Sequence, residues 1–124
     1  QPFPGGTGCI WPFMAGRFVE LPYTLPQDHV LFYLLRERSI SIWKKKARWV
    51  AANHGMILTL THPDYLMERD HLRLYEELLA YLKEIPHAWH CLPREMARWY
   101  TDLRDRHEPT QPKSYPVGEG MAFM

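Results

Sequence analysis

Between two charged, helix-patterned stretches lies the run Met56-Ile57-Leu58-Thr59-Leu60-Thr61, preceded by Gly55 and stopped by His62-Pro63-Asp64. A short apolar run bounded by glycine and proline reads as a buried strand. When helices flank such a strand, the economical arrangement is a parallel α/β layer. In that layer the carboxyl end of the strand delivers its next residue into the loops where active sites are built. Here the next residue is His62, the best chemical lead in the chain. No other part of the sequence offers the carboxylate and metal ligands that such a histidine normally works with.

A chain of 124 residues with 46% hydrophobic content can bury one core and hardly two. One domain, or part of one, is expected. The 15 basic and 14 acidic side chains leave a formal charge of +1, which gives no global field for a polyanion or an anionic membrane. Cys9 and Cys91 stand far apart, outside any C-x-x-C spacing, and indicate neither a disulfide framework nor a zinc finger. No apolar run approaches the roughly 20 residues needed to span a bilayer. The opening Gln1-Pro2-Phe3-Pro4-Gly5-Gly6 is not a signal peptide. It also lacks a starting Met, so the chain looks like a piece of something longer.

Along the chain, residues 1–17 are a Gly/Pro-rich loop containing Trp11 and Phe13. Phe18-Val19-Glu20-Leu21 is a plausible strand closed by Pro22. Pro26 or Asp28 then opens a helix through Leu35 that is apolar nearly all round and therefore expected to be buried. A second helix begins at Ser41 and ends at Asn53-His54-Gly55, with glycine available for a left-handed cap and Trp43, Ala47, Val50, Ala51 and His54 on one face. The strand at 56–61 follows. From Asp70 to Glu84, Leu72, Tyr75, Leu78, Leu79 and Leu82 form a wide stripe opposite Glu76, Glu77 and Lys83. Ala88-Trp89-His90-Cys91 reads as a short strand, and Pro93 starts a last helix burying Met96, Trp99, Tyr100 and Leu103. Residues 107–124 carry no periodicity and read as a flexible tail.

Strands separated by helices of this length imply right-handed crossovers and a parallel sheet. The expected class is α/β, with about three parallel strands and flanking helices. Three strands are few for a sheet that needs both faces covered. The missing strands must come from further sequence or from association.

The segments Val19-Glu20-Leu21-Pro22-Tyr23-Thr24-Leu25-Pro26-Gln27-Asp28-His29, Ile42-Trp43-Lys44, His54-Gly55-Met56, Thr61-His62-Pro63-Asp64-Tyr65 and Trp89-His90-Cys91-Leu92-Pro93-Arg94-Glu95-Met96-Ala97-Arg98-Trp99 follow one another in a familiar order. In order and spacing the chain resembles the C-terminal half of a polysaccharide deacetylase, the carbohydrate esterase family 4 or nodulation-protein-type domain. The likeness covers about residues 5 to 106. It implies a partial (β/α) barrel over residues 18–106, with the active site at the carboxyl ends of the strands. The family's Asp-Asp pair and His-x-x-x-His metal pair belong to the absent N-terminal half. The resemblance therefore implies no cofactor held by this chain alone, and a divalent metal, usually zinc, in the complete domain.

By the same resemblance, His62 is the candidate catalytic residue, the general acid that protonates the leaving amine or alkoxide. An imidazole suits that step because its unperturbed pKa of ~6.5 lies near the operating pH. Read from the residues alone, His62 more simply caps its strand through Thr61 or the Asp64 backbone, and it is the resemblance that favours the catalytic role. Asp64 either orients His62 or initiates the turn after Pro63. Asp28-His29 reads as a metal pair or, more simply, Asp28 as a first-turn dipole partner. Glu20 and Trp11 are the substrate-groove candidates. Glu20 faces either the barrel interior or the polar face, and Trp11 either stacks on a sugar ring or plugs the core.

Trp43-Lys44-Lys45-Lys46-Ala47-Arg48-Trp49 interleaves aromatic and basic residues, yet the helix wheel places Trp43 in the core and the lysines in solvent, against nucleic-acid binding. His87, His90 and Cys91 alternate faces on a strand and do not make a zinc site. Two functions follow. In one, the chain is the C-terminal portion of a metal-dependent carbohydrate deacetylase acting on an acetylated sugar, inactive without its N-terminal half. In the other it is a non-catalytic, deacetylase-like domain that covers its open sheet edge by forming a homodimer. Neither a nucleic acid nor a membrane is an expected partner. Localisation is left open, with the cytoplasm slightly favoured.

Overall fold

The protein is represented by a computed structural model that describes residues 8–107. Cα packing divides the chain into two units, one built from the segments before Tyr23 and after His90, the other running from Tyr23 to His90.

In the first unit, β1 (Phe13–Ala15) and β2 (Phe18–Glu20) form an antiparallel hairpin in which Ala15 faces Phe18 and Phe13 faces Glu20. Gly16 makes the reversal at φ +61°, a conformation that costs a glycine little. The strand expected at Phe18 is therefore present. Its partner is the adjacent Gly/Pro-rich segment, expected to be irregular, because a two-residue turn closes a local ladder with little loss of chain entropy. The last helix of the chain, Pro93–His107, packs against β2. Proline occupies its first position, and the Glu95 carboxylate reaches back to accept the Leu92 N–H at 2.6 Å, one half of a capping box. Met96, Tyr100 and Leu103 are only partly covered on that helix and Trp99 is exposed, so the burial expected of this face is incomplete.

The second unit holds the main core. Helix α1 (Ser41–Ala52) buries Trp43, Ala47 and Val50 of the face expected from its spacing, while Ala51 is only partly covered and His54, past the helix end, is exposed. The Trp43 indole N–H, which would otherwise be an unpaired buried donor, donates to the Pro26 carbonyl at 2.7 Å. Ser41 is the first helical residue and not the cap; Ser39 Oγ accepts its N–H at 3.3 Å. At the other end the Gly55 N–H bonds to the Val50 carbonyl and the His54 N–H to the Ala51 carbonyl, the two bonds of a Schellman cap. The left-handed residue in that cap is His54, at φ 55°, not Gly55.

Helix α2 (Arg69–Lys83) packs on α1 through Leu74 and Leu78, with Tyr75, Tyr81 and Leu82 beside them. The stripe is thus centred one step from its expected line: Leu72 and Leu79, assigned to the core from sequence, are 42% and 45% exposed. The segment opened by Pro26 is a short π-helix, Val30–Leu34, closed by the Leu35 N–H on the Val30 carbonyl at 2.9 Å. Leu31 and Phe32 enter the core, but Tyr33, Leu34 and Leu35 are exposed, so this segment is not buried all round.

Met56 to Thr61, expected as a strand, is half-buried but has no regular secondary structure and joins no ladder among the described residues. Among the described residues its backbone hydrogen bonds are confined to Leu58, whose carbonyl accepts the Thr24 and Leu25 N–H groups and whose own N–H donates to Thr24 Oγ1 at 2.8 Å. The buried Thr59 hydroxyl has no hydrogen-bond partner among the described residues. Ala88–Cys91, expected as a strand, is irregular, and the segment turns at His87 with φ 60°. Among the described residues the only ladder is the antiparallel hairpin, and no helix is long and apolar enough to cross a membrane. The expected tail lies, apart from His107, outside the described residues.

Candidate functional site

Extended backbone at His62 (φ −117°, ψ 124°) carries the chain from the 56–61 segment into the 3₁₀ turn Pro63–Leu66, where proline tolerates the lost donor at a first helical position. The turn fixes the direction of the His62 ring, and Asp28 fixes its register. Asp28, at the start of the turn leading into the π-helix, is completely buried, with its side chain 0% exposed against 41% for His62. Its Oδ1 takes the His62 ring Nδ1 at 2.8 Å, and its Oδ2 accepts the His62 backbone N–H at 2.6 Å. Oδ1 also accepts the His29 N–H at 2.9 Å. A carboxylate removed from water is tolerable when several donors meet it, and these three supply that compensation.

The tautomer follows from the acceptor. A carboxylate has no proton to give, so Nδ1 carries the hydrogen and Nε2 is left as the free lone pair of the neutral ring. No protein hydrogen bond reaches Nε2 among the described residues. A buried anion against Nδ1 and an open Nε2 form a dyad that can take up and release a proton at one defined atom.

Aromatic rings wall the dyad. Tyr65, one turn beyond His62, meets the imidazole edge-on at 5.1 Å between centroids, and the same ring lies 5.2 Å from His29 and 5.1 Å from Tyr33. Tyr33 continues to His71 at 5.4 Å, and His71 stacks on Phe32 at 4.3 Å. The Tyr65 carbonyl accepts the His71 Nδ1–H at 3.0 Å, which ties the 3₁₀ turn to α2. Desolvation of the Tyr33 phenol, followed by the charge of Glu68 and then by Tyr65 and Asp28, raises its pKa above the ordinary tyrosine value. It therefore stays protonated through the neutral range.

Of the residues singled out from sequence, His62 sits where a reactive imidazole can work. Asp64 lies exposed in the first turn after Pro63 and makes no hydrogen bond to the ring; the carboxylate on His62 is Asp28. Glu20 is exposed on β2 and Trp11 exposed just before β1, and both belong to the other unit of the chain. The role of Asp28 was missed because 34 residues separate it from His62. Among the described residues no three His, Cys, Asp or Glu side chains converge to hold a metal ion.

No protein-family model, curated protein or solved structure matches this chain.

Proposed function

We propose that this chain is the C-terminal portion of a carbohydrate deacetylase, completing a (β/α) barrel and contributing its general acid, with His62 as the proton donor and Asp28 as the group that positions it. The observation that carries the reading is the buried Asp28 carboxylate on Nδ1 of a half-exposed His62 at the end of an apolar segment. In the protonated ring, Nε2–H is the only N–H that points away from the protein's own acceptors. As the acetyl–sugar bond breaks, Nε2 gives its proton to the departing nitrogen or oxygen, and the neutral ring keeps its proton on Nδ1. The Asp28 anion stabilises the imidazolium before the transfer and holds the tautomer after it.

The remaining machinery, a carboxylate base and the divalent metal, is not provided by the described residues. Apart from Leu58, the peptide groups of 56–61 have no hydrogen-bond partner among the described residues, which supports a need for further strands, because half-buried peptide groups are seldom left without partners. The same observation favours a second reading, a non-catalytic module that pairs this segment with another copy of itself.

The test supplies the N-terminal half of a polysaccharide deacetylase in trans with zinc and measures acetate released from acetylated sugars. Activity that His62→Ala abolishes supports the acid role; activity that the substitution leaves unchanged removes it. A stable symmetric dimer in sedimentation, with no acetate released, favours the module.

A further inference from the structure

Helix α1 has two sides of opposite character. Trp43, Ala47 and Val50 are sealed in the core, and on the far side Lys45, Arg48, Trp49 and Ala52 are exposed at the i, i+3 and i+4 spacings of one helical face. The helix carries Lys44, Lys45, Lys46 and Arg48 and no acidic residue. The chain as a whole has a formal charge of only +1, so positive charge is gathered here while the rest of the molecule is net acidic.

None of the four cations pairs with a carboxylate among the described residues. Lys44 lies over the Tyr81 ring at 5.2 Å and Lys46 over the Trp49 ring at 4.8 Å, while Lys45 and Arg48 are left to solvent. Lys44 stands one i, i+4 step before Arg48 and Lys45 one i, i+3 step, spacings at which like charges repel and weaken a helix. The fold leaves that repulsion uncompensated, and an anion laid along the face relieves it.

Trp49 narrows the kind of anion. Its indole is 52% exposed beside the cations, on the side opposite the buried Trp43. Single-stranded nucleic acid is gripped by several aromatic rings under successive bases, and a membrane surface takes a broad apolar face. One indole among cations suits neither. An acidic polysaccharide alternates carboxylates with the apolar C–H faces of its rings, and an ammonium, a guanidinium and an indole on one helical face match that alternation.

We infer that the Lys45, Arg48 and Trp49 face of α1 is a docking surface for an acidic polysaccharide, with carboxylates on Lys45 and Arg48 and a sugar ring against Trp49. The inference rests on the reading of the chain as one that acts on a carbohydrate, and adds that the glycan bears negative charge.

A hyaluronan oligosaccharide, N-acetylated and with a carboxylate in every repeat, is the probe, titrated into the full chain by calorimetry and located by the Trp49 indole N–H in ¹⁵N NMR. Saturable binding that weakens as salt rises and shifts this N–H is expected. A neutral chitin oligosaccharide of equal length, acetylated but uncharged, is expected to bind at least about fivefold more weakly. A single-stranded oligodeoxynucleotide and a polyglutamate peptide are the competing polyanions, each expected to bind more weakly than hyaluronan.

The double variant Lys45→Gln, Arg48→Gln and, separately, Trp49→Ala change exposed side chains, and far-UV circular dichroism checks that the helices are kept. Each is expected to weaken hyaluronan about fivefold or more. No binding of hyaluronan, equal binding of chitin, tighter binding of either competing polyanion, or full affinity in both variants would overturn the proposal. The readout is binding by the chain alone, so its failure leaves the acetate test of His62 standing, and failure of the acetate test leaves the binding result as it is.

Discussion

Asp28 answers three donors with two oxygens, and each donor depends on it differently. Asp28→Asn keeps the shape but turns one acceptor into an NH₂ group that must face a backbone or ring N–H. The expected loss is about 1–3 kcal/mol of stability in urea denaturation, the cost of leaving a buried donor unmatched. The His62 ring, released from its fixed tautomer, should also show altered Nδ1 and Nε2 shifts in ¹⁵N NMR. A variant as stable as the parent with unchanged ring shifts would mean that the carboxylate is not what orients the imidazole. His54 poses the opposite case, a side chain where its backbone would accept glycine. The left-handed conformation costs an L residue ~1–2 kcal/mol, and the greater freedom of an unfolded glycine returns about 0.4–1 kcal/mol of that. His54→Gly therefore relieves up to about 1 kcal/mol of backbone strain and gives up the interaction that His54 makes; the urea midpoint at unchanged slope reads the balance, and a fall of more than about 1 kcal/mol would show that the side chain outweighs the strain.

At the level of elements, α2 separates two sets of leucines that look alike in sequence. Leu74 and Leu78 are buried against α1, while Leu72 and Leu79 project into solvent. Leu78→Ala or Leu74→Ala is expected to cost about 2–5 kcal/mol through lost burial and the cavity left behind. Leu72→Ala and Leu79→Ala should each stay within about 0.5 kcal/mol of the parent. Chemical denaturation of the four variants checks the ordering, and comparable losses in both pairs would contradict this packing. The helices themselves were legible because a 3.6-residue repeat and a proline start depend on local sequence alone, as the Pro93 helix and the Trp43 face illustrate. The centre of the α2 stripe was not. Leucines occupy five of its fifteen helical positions or their neighbours in periodic register only after α1 and the π-helix have chosen a side. The short strands were the least legible, since pairing depends on what lies next to a segment in space. The apolar run at Met56 was visible, and its lack of a ladder was not.

Across the whole chain, the dyad, its aromatic wall and its supporting 56–61 segment all fall between Tyr23 and His90, so what the candidate site needs from the described residues lies in one unit. His62 was legible because a histidine at the end of an apolar run is a local pattern. Asp28 became part of the site only through long-range folding, and no spacing rule connects it to His62. The 56–61 segment makes a last prediction about the molecule as a whole. Leu58 donates its N–H to Thr24 and His62 donates its N–H to the buried Asp28, whereas the N–H groups of Ile57, Thr59, Leu60 and Thr61 have no acceptor among the described residues. In native-state amide exchange, Leu58 and His62 should be protected and the amides between and around them should exchange rapidly. If the segment recruits another strand, the fast amides gain protection in alternation, because a single neighbouring strand bonds every second peptide on its side. Protection rising with protein concentration would assign that strand to a second copy of the chain, and protection appearing only when an N-terminal deacetylase half is added would assign it to the missing part of a barrel. Uniform protection of all six residues in the dilute chain alone would show that the segment is already paired, and the need for an additional strand would fall.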